Sequence, residues 1–391
     1  MAYYVTLIHG TFSPDAAWIQ KDSFFASELA KALDTEVRFD KFNWGGRNLH
    51  TERIKQGKQL AEKIKNNLLQ YPNYDHVIIA HSHGGNVVLY ALNYIEDVPA
   101  NLFFVSLATP FLNCTERNLP FNTQLFKRYF KIVLGIFQLF ALLQIIVFIV
   151  LLVQKDFKTI TAYWYNWFFL LMPIVCQRVG NYIERYYFRQ GQKAQELMNI
   201  LSRSYNIKMA AFTTGRDEAL LGLNISKRIP EGLFSLRKFF EKITKLTLPY
   251  LKKLFVSILV LGLILAILQD IIHINGEQIF MTIGFIVSIL LILVVAGLMD
   301  SVTLGVMFSY MFKSPAFGLR SLGYLLHLKI EPSKFPIGIK YPFIKDYNPI
   351  VFKKKWYQLN HSQLYESKDV INDIANWIKK CTMFKITLRR V

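Results

Sequence analysis

Residues 76–88 have the sequence His76-Val77-Ile78-Ile79-Ala80-His81-Ser82-His83-Gly84-Gly85-Asn86-Val87-Val88. An apolar run typical of a strand leads into a turn centred on Ser82, and a helix follows that opens with two glycines. Small residues, Ala80 and Gly84, flank the serine where the backbones of strand and helix must pass close together. A hydroxyl in this position faces a helix N-terminus, whose N–H groups favour a developing negative charge. The pattern predicts a nucleophilic serine; a serine that only caps the helix is the alternative.

Segments of strand and helix type alternate on both sides of this turn. Apolar runs predict strands at Tyr3–Ile8, Glu36–Phe42, His76–Ala80, Leu102–Leu107 and Lys208–Thr213. Helical periodicity predicts helices at Ser23–Leu33, Arg53–Leu69, Gly84–Leu92 and Val370–Lys379. Such alternation is typical of the α/β class, in which helices cover both faces of a mostly parallel sheet.

The composition favours a membrane over a nucleic acid as the anionic partner. The chain has 391 residues and a net charge of +19, and 52% of its residues are hydrophobic. Since a basic excess accompanies this apolar content, we expect membrane lipids and an anionic bilayer surface as partners, and no nucleic acid. The three cysteines have no metal-type spacing, so we expect neither a metal site nor a disulfide-stapled secreted domain.

Four apolar segments are candidates for membrane-spanning helices. They are Ile132–Val153, Ile160–Cys176, Leu254–Gln269 and Ile279–Met299. Lys and Arg residues flank both pairs, which predicts two hairpins whose ends are cytosolic. The opening residues read as a strand rather than a secretory signal. We therefore expect an integral membrane protein with its folded domain on the cytosolic side, in a bacterial inner membrane or an internal eukaryotic one; buried core helices are the alternative.

The hairpins look like insertions into one folded domain. The predicted division is core at 1–120, membrane hairpin at 121–179, core at 180–235, amphipathic segment and second hairpin at 236–314, and core at 315–391. Within the fourth piece, Leu236–Leu246 has an apolar and a basic face. This segment could lie in the headgroup plane or pack on the folded domain as an ordinary amphipathic helix.

Two motifs resemble those of the α/β-hydrolase family, in particular its lipases and esterases. One is the elbow Ala80-His81-Ser82-His83-Gly84-Gly85, with Ala80 where Gly is commoner, and the other is Ile8-His9-Gly10-Thr11-Phe12. The resemblance implies an α/β-hydrolase fold and an oxyanion hole built from backbone N–H groups of Thr11 or Phe12 and of His83. It also makes His9, Gly10, His81 and Trp44 candidates for the pocket wall.

The same resemblance implies a catalytic triad in the order serine, acid, histidine. Asp217 matches the position of the acid after a strand, with Glu218 as its competitor; an exposed acidic pair without a catalytic role is the alternative. His361 lies in a polar loop before the last amphipathic helix and matches the base. This chemistry requires no cofactor.

Taken with the apolar segments, the resemblance implies a membrane-embedded serine hydrolase that cleaves acyl esters. Lipid esters are the substrates that we expect first, which corresponds to a lipase, phospholipase or esterase. Both hairpins would emerge near the carboxyl edge of the sheet and could hold the pocket against the bilayer in place of a lid. The competing hypotheses are an inactive hydrolase-fold scaffold or sensor, an acyl-protein thioesterase, and an effector that damages membranes.

Overall fold

The protein is described by a computed structural model. It covers residues 2–116, 166–203, 205–215, 217–228, 308–320, 327–336, 338–339, 342–348 and 360–388, together with residues 149, 232, 253, 257 and 324.

A six-stranded sheet forms the centre of the described chain. Its strands are β1 (Ala2–Ile8), β2 (Glu36–Phe42), β3 (Asp75–His81), β4 (Leu102–Leu107), β6 (Lys208–Thr214) and β8 (Phe343–Tyr347). They lie in the order β2-β1-β3-β4-β6-β8, and every neighbouring pair is parallel. The predicted α/β class with a parallel sheet is therefore confirmed. Two further strands, β5 (Phe111–Glu116) and β7 (Leu328–Ser333), form a separate pair.

The α-helices that accompany these strands are α1 (Phe24–Leu33), α2 (His50–Gln70), α3 (Gly84–Leu92), α4 (Asn166–Ser202), α5 (218–228), α6 (Ser314–Phe317), α7 (Asn360–Gln363) and α8 (Lys368–Leu388). Four of them, α1, α2, α3 and α8, contain or closely match the predicted helices. Helix α1 begins where predicted because the hydroxyl of Ser23 accepts the N–H of Ala26 at 3.1 Å.

Apolar side chains pack on both faces of the sheet. On one face Val5 and Ile79 pack with Phe25 of α1 and Ile374 of α8. On the other face Ile78 and Phe104 pack with Leu60 of α2 and Val88 of α3. Because successive side chains of a strand point to opposite faces, strands covered on both sides have continuous apolar runs, as residues 77–80 of β3 and 102–105 of β4 do.

The strand order reverses direction beside β1. This strand lies between β2 and β3, so the connection after β1 leads to one side and the connection after β2 returns to the other. In open parallel sheets, ligands bind outside the carboxyl ends of the strands at such a reversal. The segment after Ile8 and the turn after His81 both lie there.

The chain forms two compact units. The first comprises Met1–Leu112, Tyr205–Arg320 and Glu331–Val391, and it contains Ser82, Asp217 and His361. The second comprises Asn113–Ser204 and Ser321–Ile330. Helix α4, in the second unit, runs without a break through the predicted boundary at residue 179.

Most of the predicted membrane segments lie outside the described residues. These are Ile132–Val153, Leu254–Gln269, Ile279–Met299 and the amphipathic Leu236–Leu246, of which only residues 149 and 257 are described. Residues 166–176 of the segment Ile160–Cys176 form the start of α4. Within the part of the chain that is described, no helix combines the length and the apolar character that crossing a membrane requires.

Candidate active site

Ser82 lies on a sharp turn between strand and helix, as predicted. Strand β3 ends at His81, α3 begins at Gly84, and the φ angle of Ser82 is +52°. A residue with a Cβ loses about 1–2 kcal/mol in this left-handed conformation. The turn is kept in place by the N–H of Ser82, which donates to the carbonyl of Leu107 at 2.9 Å. Ser82 is 7% exposed, so it is almost completely buried.

Glycines allow the segment after β1 to approach this turn. A methyl group on Gly10 would lie 2.7 Å from Cβ of Ser82. A methyl group on Gly84 would lie 2.5 Å from the carbonyl oxygen of His9. Both distances are shorter than carbon atoms tolerate, so the two segments contact each other directly only because these positions are glycine.

Asp217 and His361, which are separated by most of the second half of the chain, are in direct contact. The two carboxylate oxygens of Asp217 lie 2.9 and 3.0 Å from Nδ1 of His361, and both side chains are largely buried. Because a carboxylate can only accept, Nδ1 donates in this contact, and in the neutral ring Nε2 is then the acceptor. The N–H of Leu220 also donates to Oδ1 of Asp217, at 3.0 Å. The imidazole thus has the tautomer that a general base needs.

Glu218, the competitor for the acid, contacts a different part of the histidine. Its Oε2 accepts the backbone N–H of His361 at 3.3 Å, whereas the imidazole is bound by Asp217. The geometry therefore favours Asp217 as the partner of the ring.

His81, the residue before Ser82, contacts His361 directly. The ring of His81 lies 4.7 Å from that of His361, and its Nε2 donates to the His361 carbonyl at 3.0 Å. Among the described residues no hydrogen bond joins Ser82 to His361. Such bonds are often long in ligand-free enzymes and shorten when a substrate binds.

In the predicted oxyanion segment, Thr11 and Phe12, the backbone of Phe12 is strained and its N–H already has an acceptor. Phe12 has a φ angle of +60°, its side chain is 80% exposed, and its N–H donates to the carbonyl of Gly46 at 2.9 Å. The N–H groups of Thr11 and His83 have no backbone acceptor within the described part of the chain. Of the two candidates in this segment, the geometry leaves Thr11 available to an oxyanion.

His9 and Trp44 are buried and connect the oxyanion segment to the loop after β2. The backbone N–H of Trp44 donates to Nε2 of His9 at 3.2 Å, and its indole N–H donates to the His9 carbonyl at 2.9 Å. Nδ1 of His9 donates to the Gly10 carbonyl at 2.7 Å. Burial lowers the pKa of His9, so the ring stays neutral and keeps Nε2 as an acceptor. These hydrogen bonds tie the segment after β1 to the loop after β2.

The ring of His83 is also neutral, and it already accepts a hydrogen bond. Its Nδ1 accepts from the Asn86 amide at 3.0 Å, and the same amide donates to the Pro110 carbonyl at 3.0 Å. Burial, with a smaller effect of the positive charge of Arg53, lowers the pKa of His83 well below its usual value. This leaves the backbone N–H of His83 as its contribution to the site.

Arg53, which no motif in the sequence singles out, is a fully buried cation close enough to His83 to influence its pKa. Its guanidinium donates to Asn48 at 2.8 Å and to the Phe317 carbonyl at 2.6 Å. No carboxylate within the described ranges forms an ion pair with it. A buried positive charge without an acidic partner favours anions nearby, and it adds to the effect of burial that lowers the pKa of His83.

A cleft of about 630 Å³ opens beside the oxyanion segment. Aromatic side chains of Phe12, Trp18, Phe24 and Tyr365 line it, and the ring of Tyr365 stacks on Trp18 at 5.2 Å. Tyr365 also contacts His81 edge-on at 5.0 Å. This volume lies in the range of small-molecule sites. The cleft is also lined by the polar side chains of Ser13, Asp15, Ser23 and Glu366. None of Ser82, Asp217 and His361 lines it.

No protein-family model, curated protein or solved structure matches the chain. A serine on a strained turn, a carboxylate-bound histidine and two available N–H groups are the parts that acyl transfer requires. The described residues include no cluster of His, Cys, Asp and Glu suited to a metal ion.

Proposed function

We propose that the chain has an α/β-hydrolase fold and is a serine hydrolase that cleaves acyl esters, with Ser82 as nucleophile, His361 as base and Asp217 as orienting acid. The observation that carries the proposal is the contact of both Asp217 oxygens with Nδ1 of His361, beside the turn that holds Ser82. The strand order supports it, because β3 and β6 bring Ser82 and Asp217 to one edge of the sheet.

In the proposed mechanism, Nε2 of His361 takes the proton of Ser82 while Oγ attacks the acyl carbonyl. The N–H groups of Thr11 and His83 bind the oxyanion. His361 then gives its proton to the leaving alcohol, and an acyl-enzyme remains. Water, deprotonated by the same histidine, attacks this ester and releases the acid together with free Ser82. Asp217 stabilises the imidazolium in both half-reactions.

We propose lipid esters as the substrates and a membrane as the site of action. The net charge of +19 and the four long apolar segments support an anionic bilayer surface as the partner. The aromatic walls of the cleft beside Phe12 suit an acyl chain. In this proposal the hydrolase domain faces the cytosol, and the apolar segments hold the cleft near the lipid.

Covalent labelling with a fluorophosphonate tests the serine chemistry directly. Full-length protein in membranes should be labelled, and Ser82→Ala and His361→Ala should abolish labelling. Ser27→Ala, on the exposed side of α1, is a matched control that should leave labelling unchanged. A folded wild type without label would contradict the proposal and favour an inactive scaffold or sensor. If labelling succeeds, comparing phospholipid, lysophospholipid and acyl-protein thioester hydrolysis separates the substrate classes.

A further inference from the structure

His361 is held by its backbone as well as by its imidazole. Its carbonyl accepts Nε2–H of His81 at 3.0 Å, and its N–H donates to Oε2 of Glu218 at 3.3 Å. The first of these partners precedes Ser82 in sequence and the second follows Asp217. The base is therefore bound on both sides by the direct neighbours of the other two proposed triad members.

We infer that His81 and Glu218 are positioning residues, which hold the backbone of His361 so that its ring reaches Ser82 and Asp217 together. This inference rests on the proposed function, because it assigns roles around the proposed base. Neither residue touches the reacting atoms in this scheme, and each acts through His361.

The sheet order explains why such support is needed. Ser82 follows β3 and Asp217 follows β6, and β4 lies between these strands. Parallel strands lie about 4.8 Å apart, so the two attachment points are about 10 Å apart across the sheet. His361 comes from α7, a helix of a single turn, and must bridge that gap. Two backbone contacts, one at each side, fix where its ring lies.

The contact from His81 does not change within the physiological pH range. Burial lowers the pKa of His81 to about 3, so its ring is neutral, and its single N–H is the one that faces the His361 carbonyl. Tyr365 packs edge-on against the same ring at 5.0 Å and restricts its orientation. His81 is thus a fixed donor and has no free proton to exchange with a substrate.

Paired substitutions separate the hydrogen bond from the packing. His81→Phe keeps an aromatic ring but cannot donate, whereas His81→Gln keeps an N–H at similar reach. Glu218→Ala removes the acceptor, whereas Glu218→Gln keeps a side-chain oxygen. A displacement of about 1 Å in an active site lowers rates about 100-fold. We expect His81→Phe and Glu218→Ala to lower kcat on a neutral short-chain ester by about that factor, with KM nearly unchanged, and both Gln variants to restore most of it.

His76→Phe is the matched control. His76 is a buried histidine of the same strand, and its Nε2 donates to the Tyr71 carbonyl at 2.9 Å, at the opposite end of the strand from Ser82. This variant should lose stability in the same way as His81→Phe but retain its kcat. Hydrogen exchange of the His361 amide adds a readout independent of turnover, and it should accelerate in Glu218→Ala and not in Glu218→Gln.

The outcomes distinguish this inference from the proposed function. An active wild type whose His81→Phe and Glu218→Ala variants keep their kcat would overturn the positioning roles and leave the serine hydrolase standing. Equal losses of kcat in His76→Phe and His81→Phe would also overturn them, since a general loss of stability would then explain both. A folded wild type that neither hydrolyses esters nor reacts with the fluorophosphonate would overturn the proposed function, and the positioning roles with it.

Discussion

Asp217→Asn is the sharpest test of the site, because the structure dictates how the new side chain would sit. The N–H of Leu220 donates to Oδ1 of Asp217 at 3.0 Å, and an asparagine would keep its carbonyl oxygen there. Nδ1 of His361 lies 2.9 Å from that oxygen and 3.0 Å from Oδ2, which the amide nitrogen would replace. Because the amide donates, it opposes the proton on Nδ1 and favours the tautomer with the proton on Nε2. In that tautomer the histidine cannot accept the proton of Ser82.

The expected loss is large because the tautomer changes as well as the charge. Losing a charge-assisted hydrogen bond costs about 1.5–3 kcal/mol, which corresponds to roughly 10–100-fold in rate. The wrong tautomer lowers kcat by about 10⁴, or about 5 kcal/mol of transition-state stabilisation. We therefore expect Asp217→Asn to lower kcat by about 10⁴ with little change in KM.

Steady-state hydrolysis of a neutral ester and the rate of fluorophosphonate labelling measure this loss. Glu218→Gln is the control, since it makes the same chemical change one residue later and retains an oxygen for the His361 N–H. It should stay close to wild type. If Asp217→Asn remained within about tenfold of wild type while Glu218→Gln lost activity, the assignment of the acid would be wrong and Glu218 would take its place.

Two further predictions concern stability. The free energy of unfolding of Ser82→Gly should exceed that of Ser82→Ala by about 0.5–1 kcal/mol, because relief of the left-handed strain outweighs the entropy that glycine loses on folding. Equal denaturant midpoints of the two variants would argue against strain at this turn. Burial lowers the pKa of His81 to about 3 and that of His50 to about 4, below the unfolded value near 6.5. As the pH falls, these histidines bind protons in the unfolded chain before they do so in the folded protein. The free energy of unfolding should therefore decrease between pH 6.5 and pH 4, by up to about 1.4 kcal/mol per pH unit for each histidine. Denaturation of His50→Gln across that window should show a shallower slope than wild type, and an identical slope would mean that His50 is charged in the folded protein.

The elements that sequence predicted well are those with a strong local pattern. Strands β1 to β4 and helices α1 and α3 lie within a residue or two of their predicted bounds. Strand β8 was not predicted, because Phe343–Tyr347 is half polar and most of its side chains are at least partly exposed. An edge strand of this kind carries little periodic signal, and pairing with β6 makes it a strand.

The site was predicted only as far as its motifs reach. The turn at Ser82 depends on residues a few positions apart, and the sequence therefore predicted it. The burial of Arg53 depends on Phe317, and the choice between Thr11 and Phe12 depends on Gly46, which lies on a different loop. Neither contact has a signature in the residues around it.

Local sequence was thus sufficient for the α/β class and the turn at Ser82, because periodicity and turn chemistry involve neighbouring residues. The candidates for acid and base came from the resemblance of the motifs to those of a known family. Only the packed molecule decides that Asp217 binds the ring of His361, that Glu218 binds its backbone and that His81 contacts it from the other side. These partners are far apart along the chain. They meet because the order of the strands brings their carboxyl ends to one edge of the sheet, and that order depends on the packing of the whole domain.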